Sequence, residues 1–479
     1  MKNLTLKNLA EVCKGQLFWG ASCKEESTEK KEAACVVLDS RKIEAGGIFL
    51  ANEGANVDGH KFIGQVFEKG ALGVICEKTP QQVAELYGVP AESWGAYILV
   101  QDSLQALKDI AEYYREQLSI PVIGITGSVG KTSTKEFIAG VLAQKYNVLK
   151  TEGNFNNEIG LPLTLLRIRK EHEAAVVEMG ISDFGEMHRL SKMAKPDICV
   201  ITNIGQCHLE NLKSREGILK AKTEIFDFMS EDGYVCVNGA DDMLATLDKV
   251  KGKKVLRFGV KNDGCECFDS LYNVYGDRVE NLGLFGSKAV MHLGKEAVEV
   301  TVPLPGVHMV INATAAALVA QILDLSTEQI CKGIAAVEAV GGRSNIIRWE
   351  DKTVIDDCYN ANPVSMKAAI DLLMTANTRK VAVLGDMFEL GENSDEMHAG
   401  VGRYGADAGV DLMICVGENS KHMYEGVLKS QKEGQEVYYF ETREALLENL
   451  KSLLKEGDTV LVKASHGMGF DKVVEYLQK

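Results

Sequence analysis

The run Gly124-Ile125-Thr126-Gly127-Ser128-Val129-Gly130-Lys131-Thr132 limits this chain more than any other feature. The apolar residues 122–125 open it and read as a buried strand. Phe137, Ile138, Val141 and Leu142 follow at helical spacing, so a helix is expected over 132–145. A strand that ends in glycines and turns into a helix gathers inward-facing amides at the positive end of that helix. Lys131 adds a point charge, and the Thr132 hydroxyl suits Mg²⁺. The longer form of this loop has glycine where this chain has Ile125, so the motif is the shortened TGSVGKT of residues 126–132. Thr126, Gly127, Ser128, Val129, Gly130, Lys131 and Thr132 are therefore expected to hold nucleotide phosphates. The plainer reading, a glycine-rich turn with an incidental lysine, loses ground because both flanking elements are present.

A chain of 479 residues suggests about three domains, and the pattern divides that way. Residues 1–118 carry short apolar runs (35–38, 47–51, 73–76) and a helical stretch over 103–118. Residues 119–341 alternate buried-strand candidates at 122–125, 174–177 and 198–201 with helices, the pattern of a parallel sheet. Strict alternation at 298–302 adds an antiparallel ribbon near 255–305, and an alanine-rich helix is expected over 312–323. Residues 342–479 repeat the strand–helix rhythm at 353–355, 381–385, 412–417 and 460–463. The fold class is α/β in three domains.

The formal charge of −15 argues against a general nucleic-acid binder, which needs a basic footprint. A local cluster of Lys, Arg and metal can still hold a small anion. No stretch reaches the apolar length of a membrane span, and Met1–Lys7 lacks a signal peptide's apolar core. The twelve cysteines, Cys13, Cys23, Cys35 and Cys76 among them, are scattered, and Cys265 and Cys267 are too close together for a zinc knuckle. They read as reduced thiols. The expectation is a monomeric cytoplasmic protein with no nucleic-acid partner.

Ligands of open α/β sheets gather at the carboxyl ends of strands, which singles out several residues. Glu178 ends a strand and is either a hard-oxygen metal ligand or a cap for the next turn. His208 lies just past another strand end, where a loop histidine bonded to backbone is the plainer reading. Lys222 alone reads as part of a solvated helix face. The amides Asn154, Asn156 and Asn157 suit phosphate, sugar or peptide polar atoms, and equally ordinary turns. Asp356-Asp357-Cys358-Tyr359-Asn360-Ala361-Asn362-Pro363 follows a strand, so its acids could accept ribose hydroxyls or an ammonium. Turn chemistry before a helix over 365–375 is the alternative.

Together these motifs resemble the Mur ligases of bacterial cell-wall synthesis. Asp39-Ser40-Arg41, Asn56-Val57-Asp58-Gly59-His60, TGSVGKT, GNFNNEIGL at 153–161, Val177-Glu178-Met179-Gly180 and Ile201–Glu210 carry the resemblance. So do DDCYNANPVSM at 356–366 and LGDMFELGE at 384–392. The last two and GNFNNEIG resemble the branch that adds D-alanyl-D-alanine to UDP-N-acetylmuramoyl-tripeptide. The resemblance implies a central ATPase domain flanked by a UDP-substrate domain and a Rossmann-like domain, with ATP and two Mg²⁺ ions. It implies that an acyl phosphate forms on the tripeptide and that the dipeptide amine attacks it. It places one Mg²⁺ on Thr132 and Glu178 and a second on His208, with Lys131 assisting catalysis. Lys222 aligns with the family's carbamylated lysine, the opposite of its plain reading. Asn312, Arg343 and Asp357 would contact ATP, and Ser40 and Arg41 the uridine diphosphate. Tyr359, Asn360 and Asn362 would lie near the dipeptide. Met309 and His466 depart from the family pattern. A lysine- or diaminopimelate-adding ligase of the same architecture, a folylpolyglutamate synthase, and a nucleotide switch that joins nothing are the rivals.

Overall fold

The computed structural model describes residues 1–20, 29–54, 57–89, 94–261, 271–349 and 351–478. Cys23, Asn56, Cys265 and Cys267 lie outside the described residues. The three strand–helix segments become three sheets. The first runs, in spatial order, Gln16–Trp19, Ala96–Leu99, Gly73–Cys76, Ile48–Leu50, Val36–Val37. Only the Gln16–Trp19 pairing in it is antiparallel.

In the middle sheet, Val122–Thr126 lies between Ile198–Ile201 and Ala174–Glu178, parallel to both. Val148–Lys150 closes one edge. Tyr234–Asn238 and Lys253–Val260 extend the other, and the expected ribbon completes it as Val274–Asn281, Ser287–Leu293 and Glu296–Val302. Chain order reverses at Val122–Thr126, and such a switch point opens a crevice beyond the strand's carboxyl end. The third sheet orders as Asn345–Trp349, Lys352–Asp356, Thr459–Lys463, Lys380–Gly385, Leu412–Val416, Glu436–Phe440. Its switch point falls between Thr459–Lys463 and Lys380–Gly385.

Two elements start earlier than periodicity suggests. The alanine-rich helix is Val307–Ile322, entered directly after Gly306. It is apolar on nearly every side, as a helix sandwiched between sheet and helix must be. Its alanines let it lie close to the helix Lys131–Leu142. The helix expected over 365–375 is Pro363–Met374, with proline in its first turn and Asn362 capping it.

The domains are joined unequally. The helix Ser103–Glu116 shares a core with the middle domain: Leu107, Ile110 and Tyr114 belong to the same cluster as Leu161, Leu165 and Leu190. Tyr114 Oη donates to Ile168 O at 2.6 Å, and Arg115 reaches Ala194 O and Asp197. The C-terminal sheet has its own cores on its two faces. No helix among the described residues is long and apolar enough to cross a membrane.

Candidate active site

The glycine loop caps the strand Val122–Thr126 and starts the helix Lys131–Leu142. Gly130 is left-handed, φ 82°, which only glycine adopts cheaply. At Gly127 a Cβ would lie 1.9 Å from Thr202 Oγ1, so a side chain there would push the loop off its support. That support is the neighbouring strand end. Val129 N donates to Asn203 Oδ1 at 2.9 Å and Ser128 N to Asn203 O at 3.1 Å. Thr202 Oγ1 and Asn203 Nδ2 both donate to Val129 O. Sequence reasoning missed Thr202 and Asn203 as loop braces, although their position just past a strand end was the available signal. Lys131 Nζ donates to Gly127 O at 2.7 Å, inside the loop it charges. Burial lowers its pKa, opposed by the negative charge of Glu178.

Glu178 is the last residue of its strand and 1% exposed. Its carboxylate accepts from Thr132 Oγ1 at 2.8 Å and Asn156 Nδ2 at 2.9 Å, and forms no ion pair with a described residue. The structure thus joins three residues singled out separately in sequence. A buried carboxylate beside a hydroxyl is a hard-oxygen donor set that fits a magnesium ion keeping several waters. Among the described residues, no three His, Cys, Asp or Glu side chains converge as a complete metal cage.

Lys222 is 1% exposed on the helix Arg215–Thr223, not on a solvated face as its plain reading had it. Its ammonium makes no hydrogen bond or ion pair with a described residue. Burial pushes its pKa down to about 8, with Lys131 adding repulsion. A buried amine that sheds its proton easily fits carbamylation, which needs the neutral form. His208 has Nδ1 2.6 Å from Glu389 Oε2, on the C-terminal domain. Burial lowers its pKa; Glu389 opposes this, and the charges of Lys222 and Lys131 reinforce it. Lys131, Lys222 and His208 therefore share one neighbourhood.

The C-terminal site residues form a connected cluster, and the charge of one of them, Arg343, is felt at Lys131. Arg343 stacks on the Tyr359 ring, 4.1 Å from its centroid, and Tyr359 lies 5.3 Å from the His466 ring. Asp357 accepts from Ser344 N at 2.9 Å and pairs with Lys463 Nζ at 2.6 Å. The Asn360 carbonyl takes another Lys463 hydrogen bond. Lys463 was not foreseen, because its partners lie about a hundred residues away. Asn312 accepts from Thr134 Oγ1 at 3.0 Å and donates to Met309 Sδ, one helical turn back. Its side chain lies about 3.5 Å from where a Cβ on Gly130 would sit, beside the phosphate loop.

Other expected site residues hold local structure. Asn362 Oδ1 caps its helix through Ser365 N, and Asn157 Oδ1 accepts from Ile159 N and Gly160 N. Asn154 O accepts from Asn156 N. Ser40 is buried, while Arg41 points outward and grips Asp39 through two nitrogens at 2.9 and 2.8 Å.

A glycine loop at the switch point of a parallel sheet, with a buried carboxylate beside its threonine, defines a phosphate-loop nucleotide-binding protein. The chain belongs to the Mur ligase family. The family's domain models match residues 32–115 (Mur ligase family, catalytic domain), 125–320 (Mur ligase middle domain) and 342–466 (Mur ligase, glutamate ligase domain). It is similar to the UDP-N-acetylmuramoyl-tripeptide–D-alanyl-D-alanine ligase of Bacillus subtilis, 36% identical over 99% of this chain and 98% of that protein. The structure of MurF from Acinetobacter baumannii superposes with a TM-score of 0.85 at 32% identity, covering 99% of both chains. MurF ligase from Thermotoga maritima in complex with ADP superposes at 0.77 and 27% identity, over 93% of this chain and 97% of that one.

Proposed function

We infer that this protein joins D-alanyl-D-alanine to UDP-N-acetylmuramoyl-tripeptide at the expense of ATP, in peptidoglycan precursor synthesis. The supporting observation is the Thr132–Glu178 pair beside Lys131, in a chain that matches ligases of that name from end to end. Residues 1–118 take the UDP end of the substrate through Ser40 and Arg41. Residues 119–341 hold ATP, with Asn312 beside its loop. Residues 342–479 supply Arg343 and Asp357 to ATP and receive the dipeptide near Tyr359, Asn360 and Asn362. The amides of Asn154, Asn156 and Asn157 line the path of the tripeptide. The protein acts as a cytoplasmic monomer.

A carboxylate is a poor electrophile. Its oxygen takes the terminal phosphoryl group, ADP leaves, and the dipeptide amine adds to the carbonyl carbon; the tetrahedral adduct expels phosphate and loses a proton. Lys131 and the loop amides neutralise charge on the transferring phosphoryl group. Thr132 and Glu178 would hold one Mg²⁺ and His208 a second. Bound there, the metals supply electrostatic stabilisation of the phosphoryl oxygens. The amine of Lys222 would add to CO₂ with loss of a proton, giving a carboxylate that serves the second metal and removes its repulsion with Lys131. The C-terminal cluster excludes water from the acyl phosphate.

The test is mass spectrometry of products from ATP, Mg²⁺, D-alanyl-D-alanine and UDP-tripeptides ending in lysine or diaminopimelate. An amide product one water lighter than its two precursors, with stoichiometric ADP and phosphate, is expected. ATP hydrolysis indifferent to the dipeptide, with no amide, would overturn the reading.

A further inference from the structure

Among the described residues, a single ion pair crosses from residues 119–341 to residues 342–479, and it reaches the edge of the phosphate crevice. It joins His208 to Glu389, with Nδ1 and Oε2 2.6 Å apart. Both partners are non-glycine residues in left-handed backbone, φ 50° and 61°. Such conformations are unfavourable and persist where surrounding structure enforces them. Two loops are thus bent against their own preference at the place where they meet. The two loops are in van der Waals reach: a Cβ on Gly391 would lie 3.8 Å from Glu210 N.

The loop presenting Glu389 is fastened within its own domain. Phe388 N donates to Ser465 Oγ at 2.9 Å, Met387 N to His398 Nε2 at 2.9 Å, and Asp386 Oδ1 accepts from Ser420 N at 2.7 Å. Glu389 itself remains 58% exposed, so the C-terminal core does not need it. On the other side, His208 Nδ1 is buried and lies outside straight hydrogen-bond geometry. Glu389 is its one ion-pair neighbour among the described residues. The other ring nitrogen, Nε2, makes no hydrogen bond with a described residue.

We propose that Glu389 is a positioning residue of the ligation reaction, acting through His208. Its carboxylate, 2.6 Å from Nδ1, favours the imidazole proton on that nitrogen through its charge, leaving the Nε2 lone pair for a divalent cation. Partners of this kind hold metal-binding histidines in one tautomer and raise their basicity. Here the carboxylate comes from a different domain, so His208 is fully prepared only when the C-terminal domain is docked. The domain that receives the dipeptide thereby reports its position to the phosphoryl-transfer centre. The inference rests on the proposed function, which assigns a cation to His208.

Mn²⁺ titration of the full-length protein with ADP, followed by electron paramagnetic resonance, tests it. Glu389→Ala should weaken the weaker Mn²⁺ site by about 10- to 100-fold while leaving the other site unchanged. Glu389→Asp should recover part of that loss. In a His208→Ala background, Glu389→Ala should add nothing. An isotherm for Glu389→Ala that superposes on wild type, or an equal loss with His208 absent, overturns the proposal. Product analysis of the wild-type protein runs in parallel. If no amide forms there, the proposed function fails on its own, and the isotherms still decide whether Glu389 acts through His208.

Discussion

Two loops of this protein carry basic residues suited to phosphate, the glycine loop at 126–132 and the turn at 39–42, and they are built in opposite ways. The first is wrapped by the strand end at 202–205, and its lysine lies inside the loop. The second is a surface 3-10 turn, Ser40–Lys42, whose Arg41 side chain is 87% exposed. Arg41 already grips Asp39, and that grip holds the Asp39 carboxyl down at about 2, well below its ordinary value. A phosphate arriving there replaces one carboxylate with another anion in high dielectric, and the exchange gains little. A phosphate arriving at Lys131 meets a charge partly withdrawn from water inside the loop, where Coulomb attraction is stronger. The same chemistry thus carries different weight according to burial.

The sharpest way to break this comparison is Lys131→Ala. It should cut ligation by about 10³-fold or more, because the charge acts where negative charge develops. Binding of the UDP-tripeptide, measured calorimetrically without ATP, should be retained. Residual turnover near wild type would show that the loop works through its amides alone.

Lys222 sharpens the comparison from the stability side. Its folded-state pKa is near 8 against an ordinary 10.5, so between those values the unfolded chain binds more protons. Stability therefore rises with pH across that window, and the full penalty is present below pH 8. At about 1.4 kcal/mol per pKa unit, Lys222→Met should stabilise the CO₂-free protein by on the order of 3 kcal/mol at pH 7. Urea unfolding would measure it, and the gain should vanish towards pH 10.5. The same variant should lose ligation, and Lys222→Ala should recover part of it with added formate or acetate. A gain in stability with loss of activity marks a residue kept for chemistry at the fold's cost. Unchanged stability would show that the amine is solvated, and unaided turnover would remove the carbamate.

These contrasts also show what the sequence could reveal. The loop, its strand and its helix were legible because glycine spacing and apolar period are local. Glu178 was legible as a strand end, and its bond to Thr132 follows from adjacent parallel strands. Lys222 was not. Nothing in Lys220-Ala221-Lys222-Thr223 distinguishes the buried lysine from the outward one; only the resemblance singled it out. Contacts made across long stretches of chain left no periodic trace either. Asn203 bracing Val129, Lys463 gripping Asp357 and Glu389 meeting His208 are of this kind. The amides divided: Asn156 turned to Glu178, while Asn157 took the turn role and Asn362 the capping role that the glycine-flanked and Asn-Pro patterns equally allowed.

The smallest effect belongs to Arg41. Because it is solvent-exposed and already paired, Arg41→Ala should raise the apparent KM for the UDP substrate by about fivefold or less, the range of exposed ion pairs. The KM for ATP and the unfolding midpoint should not move, since the exposed Arg41 side chain reaches neither the phosphate loop nor a core. The change should shrink further at high salt, because screening reaches an exposed charge and not a buried one. A loss as large as that of Lys131→Ala would mean that substrate binding buries this turn and pulls Arg41 off Asp39. The two phosphate sites would then differ in the free protein alone.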